Sequence, residues 1–89
     1  MTEDGSYEIR FSQKAKKDIG QLPPKLRAKL KDILENRLRS EPLSGKKLVG
    51  ELKGYYSIRL NLHDRLVYRI DSKRRIIYVL RARTHYDGF

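Results

Sequence analysis

A histidine and a phenol stand side by side at His85-Tyr86, just beyond Arg81 and Arg83, and two further arginines, Arg59 and Arg65, stand upstream. These residue types suit the cleavage of a phosphodiester by the neighbouring ribose 2′-hydroxyl. That reaction needs a base to take the hydroxyl proton, cations to hold the extra negative charge on phosphorus, and an acid to protonate the departing 5′ oxygen. An imidazole titrates near neutrality and serves as acid or base. A guanidinium presents paired, planar donors to a phosphate, and a phenol donates a hydrogen bond or stacks on a base. The chemistry needs no metal, and two histidines without a cysteine make a poor zinc set; no cofactor is expected. Each residue also has an ordinary explanation. Arginines on an open sheet face keep a small protein soluble, the Lys73-Arg74-Arg75 run reads as a solvated turn, and His63, in a turn without comparable neighbours, reads as structural.

The elements that must position these groups follow from the periodicity. Tyr7, Ile9 and Phe11 alternate with charged residues as in a short strand. Ser12 is an N-cap for a helix with Ala15, Ile19 and Leu22 on its buried stripe, and Lys14, Lys16, Lys17 and Asp18 toward water. Pro23-Pro24 ends that helix and starts a second, carrying Leu26, Leu30, Ile33, Leu34, Arg37 and Leu38. Residues 43–50 read as a loop, followed by three strands, Tyr55 to Leu62, Arg65 to Ile70 and Ile76 to Arg83, in an antiparallel meander. The expected fold is α+β: an N-terminal strand, a helical hairpin, and a meander completing a four-stranded sheet with one open basic face. The period of two sends Tyr56, Ile58, Leu60, Leu66, Tyr68 and Ile70 to the helices. It gathers Arg59, Arg65, Arg81 and Arg83 on the open side, with Tyr55 available to stack on a base.

Composition sets the frame. A chain of 89 residues with 21 Lys+Arg against 11 Asp+Glu, net charge +10, is one domain, 1–89, with a polyanionic partner expected. The charge is uneven, with ten basic and seven acidic residues in 1–45 and eleven and four in 46–89, so a polyanion site draws on the second half. There is no cysteine, and no stretch of the sequence has the pattern of a signal peptide or membrane span, so a cytoplasmic protein without a membrane partner is expected.

The segments Arg39-Ser40-Glu41-Pro42-Leu43-Ser44-Gly45-Lys46, Gly50-Glu51-Leu52-Lys53-Gly54-Tyr55-Tyr56-Ser57-Ile58-Arg59, Arg65-Leu66-Val67-Tyr68-Arg69-Ile70-Asp71 and His85-Tyr86 together resemble the RelE/ParE superfamily of bacterial toxins, with the ending closest to the YoeB branch. The resemblance implies the toxin of a type II toxin–antitoxin system, neutralised by a cognate acidic antitoxin, with operator DNA bound only through the antitoxin complex. It further implies an endoribonuclease that cuts messenger RNA in the ribosomal A site. ParE-type members, the alternative, inhibit DNA gyrase instead. Residue by residue, Arg65 and Arg59 match the phosphate clamp, His85 the general acid and Tyr86 the stacking or orienting group. Arg81, Arg83, Lys46, Lys47 and Tyr55 are further RNA or phosphate ligands. The chain departs from the YoeB pattern at Lys46-Lys47, where that branch has a glutamate general base. Either a lysine of lowered pKa or charge stabilisation of the transition state replaces the carboxylate, or Glu51 supplies the base.

Overall fold

The computed structural model describes residues 6–82. Its elements in chain order are β1 (Glu8–Phe11), α1 (Gln13–Gln21), α2 (Pro24–Ile33, running on into a π-helical stretch Leu34–Leu38), β2 (Lys46–Lys47), β3 (Tyr55–Arg59), β4 (Arg65–Asp71) and β5 (Ile76–Arg81). The helices open and close where the sequence places them. The Ser12 hydroxyl accepts from the Ala15 N–H at 3.0 Å and donates to the Leu80 carbonyl at 2.9 Å, capping α1 and tying it to β5. The Leu22 N–H closes α1 on Ile19, and Pro24 opens α2 in the position where a missing N–H costs nothing.

The sheet has five strands, ordered β1-β5-β4-β3-β2, rather than four. Two features were not expected. Lys46–Lys47, read as loop, pairs antiparallel with β3 and forms one edge. β1 lies parallel to β5, with Glu8 opposite Ile76, and forms the other. A two-residue strand lacks the length that would show an alternating pattern. β3 is also shorter than expected, because the chain leaves it after Arg59 into a turn held by Asn61; β5 is described to Arg81, and its expected end at Arg83 lies outside the described residues. The Asn61 side-chain oxygen accepts from the His63 N–H at 2.8 Å and the Asp64 N–H at 2.6 Å, doing locally what a glycine turn would otherwise do.

One face of the sheet packs on the helices. Ile58, Leu60, Leu66, Tyr68, Ile77 and Val79 meet Ala15, Leu22, Leu30, Ile33, Leu34 and Leu38 in a single buried cluster. Completely burying a side chain of this kind is worth roughly 1.5–3 kcal/mol, so these contacts are what the short helices depend on. The Lys29 ammonium also donates to the Leu60 carbonyl at 2.8 Å, clipping α2 to the end of β3. The expected core faces of β3 and β4 are observed, although Ser57 and Val67 on the other face are buried as well, and that of β5 is not: Ile77 and Val79, grouped by alternation with Arg81, lie in the core. A bulge resolves the mismatch. Tyr68 stands opposite Val79 while the adjacent Val67 stands opposite Arg81, so β5 holds one extra residue, Leu80, and its phase changes there.

Candidate nucleic-acid interface

Arg59 and Arg65 are direct cross-strand partners at the turn end of the β3–β4 pair. Side chains so placed share a face, with Cβ atoms about 5 Å apart, so the two guanidinium groups lie on the same side of the sheet. Lys46 stands opposite Ser57, two residues before Arg59 on the same face, whereas Lys47 stands opposite Tyr56, whose ring stacks on the core Tyr68 at 5.5 Å. Of the two lysines, register therefore aligns Lys46 with the arginine pair. The three cations come from three adjacent strands; open-face patterning anticipates the two arginines, and Lys46 joins them through a segment read from the sequence as loop.

The segment that delivers Lys46 is held from the core. The Tyr68 hydroxyl donates to the Pro42 carbonyl at 2.9 Å and accepts from the Gly45 N–H at 3.1 Å, and the Arg37 guanidinium bonds the Ser44 hydroxyl and carbonyl at 3.0 and 2.9 Å. A Cβ at Gly45 would collide with the Tyr68 hydroxyl, so the absence of a side chain there is what lets loop and ring meet. Burial raises the Tyr68 pKa to about 12, against a smaller lowering by the Gly45 N–H, so the phenol stays protonated and keeps its donor.

Arg81 is not the free phosphate ligand expected. Its Nε donates to Asp18 Oδ2 at 2.7 Å and its Nη2 to Oδ1 at 3.3 Å, and the Ala82 N–H adds a third bond to Oδ2 at 3.2 Å. The hydrogen bond that Arg81 donates to Asp18 raises the Arg81 pKa, and burial opposes it. Asp18, assigned to water by its charge, is buried. The signal for this was present: Ala15, Asp18, Ile19 and Leu22 recur at helical spacing on one stripe, and an acid within an apolar stripe calls for a buried partner.

The remaining candidates are dispersed. Tyr55 is half-buried at the opposite end of β3 from Arg59. Glu51 lies exposed in the helical turn Gly50–Leu52, in the connection that enters β3 at Tyr55, so the topology does not bring it to the arginine pair. Gly54, with φ of +98°, makes that entry in a conformation glycine tolerates. Arg69, unassigned from the sequence, lies across from Tyr78 with its guanidinium 4.2 Å from the ring centroid. Arg83, His85 and Tyr86 lie outside the described residues. Among the described residues no group of three or more His, Cys, Asp or Glu is placed to hold a metal.

Comparison with known proteins agrees with this architecture. Residues 9–86 match the family described as the ParE toxin of the type II toxin–antitoxin system, parDE. The chain belongs to the RelE/ParE superfamily of type II toxins. Toxin RelG of Mycobacterium tuberculosis is 38% identical over 77 residues, which span 85% of this chain and 87% of that protein. A chain of the crystal structure of the toxin–antitoxin complex RelBE2, also from M. tuberculosis, superposes with a TM-score of 0.80 at 36% identity, covering 90% of this chain and 99% of that one. The YoeB dimer of Staphylococcus aureus gives 0.74 at 33% identity, covering 91% and 99%. The α+β fold of the described residues is a mixed five-stranded sheet with two helices, and no helix among them is long and apolar enough to cross a membrane.

Proposed function

We propose that this toxin is a ribosome-dependent endoribonuclease that cleaves messenger RNA by attack of the 2′-hydroxyl on the adjacent phosphate. The observation that supports the reading is the forced adjacency of Arg59 and Arg65 on the open face, with Lys46 one strand outward. Such a cluster binds a phosphate most tightly when it carries an extra negative charge, so it favours the pentacoordinate transition state over the ground state. Arg65 and Arg59 clamp the phosphate, with Lys46, Lys47 and Arg83 adding positive charge. His85 protonates the departing 5′ oxygen and Tyr86 stacks on or orients a base. With Glu51 at the far end of β3, charge stabilisation by Lys46 is the better replacement for the missing glutamate. Neutralisation falls to an acidic antitoxin, in keeping with the relative found in a toxin–antitoxin complex; any operator binding would be through that complex, and the site of action is the cytoplasm.

The test is primer extension on a message translated with the wild-type protein, Arg65→Ala or His85→Ala. Both variants should lose cleavage and growth inhibition while retaining the fold and antitoxin binding; cleavage at the wild-type rate by both would remove the assignment. The match to ParE toxins favours a second reading, inhibition of DNA gyrase without RNA cleavage. A supercoiling assay with purified gyrase, run beside the translation reaction, separates the two.

A further inference from the structure

The β5 bulge has a neighbour on the sheet surface: a recess of about 310 Å³ lined by Ser12, Gln13, Lys14, Tyr55, Leu80 and Arg81. Its size lies at the small end of the range for ligand pockets. We propose that this recess is a nucleobase subsite, taking a base of single-stranded RNA that flanks the phosphate held by Arg59 and Arg65. The inference rests on the nuclease reading and extends it to substrate selection.

The chemistry of the lining argues for a base. Tyr55 contributes an aromatic wall and Leu80 an aliphatic one, the surfaces on which a flat heteroaromatic ring is desolvated and stacked. Two of the polar side chains are already engaged, since the Ser12 hydroxyl caps α1 and bonds Leu80, and Arg81 is bound to Asp18. Gln13 and Lys14 are exposed and make no side-chain hydrogen bond among the described residues. The Gln13 amide offers a donor and an acceptor side by side, the match for a base edge that does the same. The Lys14 ammonium offers donors to a base oxygen or to the adjoining phosphate.

Position argues for RNA rather than an acidic peptide. Tyr55 and Arg59 lie on the same strand face four residues apart, about 13 Å at the rise of a strand. A nucleotide chain held by the arginine pair and running along β3 therefore reaches the recess. The bulge contributes too. An unbulged β5 would keep strict alternation past Val79, whereas the extra residue places Leu80 and Arg81 together beside Tyr55.

The test titrates the full chain, as wild type and as Arg65→Ala, with the four ribonucleoside 5′-monophosphates, following backbone amides by two-dimensional NMR. At least one nucleotide should give saturable shifts at Gln13, Lys14 and Leu80 in both proteins. The double variant Gln13→Ala/Lys14→Ala should weaken that saturation about tenfold, the worth of one to two hydrogen bonds. Gln13→Leu should also redistribute cleavage among positions of a translated message. Shifts confined to the Arg59–Arg65 end, or a recess that responds to an acidic antitoxin peptide and to no nucleotide, would overturn the subsite. The two readings fail separately: cleavage without recess shifts removes the subsite alone, and recess shifts without cleavage remove the nuclease.

Discussion

Replacing Asp18 by alanine is the most demanding test of the fold. The carboxylate takes three hydrogen bonds, from Arg81 Nε, Arg81 Nη2 and the Ala82 N–H, and both side chains of the pair are mostly shielded from water. Removing one partner leaves a guanidinium beside a pocket that no longer solvates it, which costs about 3–5 kcal/mol for a buried pair. Against a total stability of about 5–15 kcal/mol for a small domain, the variant should sit at the edge of unfolding. With a urea dependence of about 2 kcal/mol per molar, the denaturation midpoint should fall by about 2 M. The double variant Asp18→Leu/Arg81→Met, which replaces both charges with apolar volume, should recover most of the loss, because the pair's own desolvation cost disappears with it. Urea unfolding of the wild type, Asp18→Leu, Arg81→Met and the double closes the cycle. A loss below about 1 kcal/mol for Asp18→Ala, the value of an exposed ion pair, would refute the view that this bridge holds α1 to the end of β5.

Three further outcomes are expected. Tyr68 keeps its proton in the folded protein to about pH 12, whereas in the unfolded chain it ionises near pH 10. Above pH 10 the unfolded state thus binds fewer protons than the native one, and stability falls by about 3 kcal/mol toward pH 12. Tyr68→Phe should cost about 1–3 kcal/mol near neutrality by leaving the Pro42 carbonyl and Gly45 N–H unpaired, and urea midpoints at pH 8 and pH 11 should show its deficit shrinking. Gly45→Ala, at an ordinary φ of −78° but against the Tyr68 hydroxyl, should destabilise by about 1–3 kcal/mol through overpacking, with the loss relieved in a Tyr68→Phe background where the ring edge is smaller. Lys46→Ala should slow message cleavage more than Lys47→Ala, since the first lies on the face of the arginine pair and the second opposite Tyr56; equal effects would contradict the register argument.

What was legible in the sequence was whatever repeats along one chain segment. The Ser12 cap, the Pro23-Pro24 break and the alternation in β3 and β4 are local signals. The Arg59–Arg65 register was not legible, because a turn at His63-Asp64 would set Leu62 opposite Arg65, and it is the longer turn held by Asn61 that brings Arg59 there. What escaped depends on contacts between distant segments. β2 is too short to show a period and exists because β3 offers it an edge. The β5 bulge is invisible to alternation, which gave the strand a single phase and so grouped the core residues Ile77 and Val79 with Arg81, whereas the register sets Arg81 opposite Val67. Asp18 was sent to solvent on charge alone, although its position in the Ala15–Leu22 stripe already contradicted that assignment.

The parallel pairing of β1 with β5 bears on when the protein can exist at all. Glu8 meets Ile76 across nearly the whole chain, so the first strand made has no partner until almost the last one is available. At about 5–20 residues per second, synthesis of the intervening 68 residues occupies about 3–14 s. Through that interval β1 lacks its ladder, α1 lacks the counter-charge for Asp18, and the core lacks Ile77 and Val79. A chain interrupted before β5 should therefore remain an unfolded fragment rather than act as a weakened toxin.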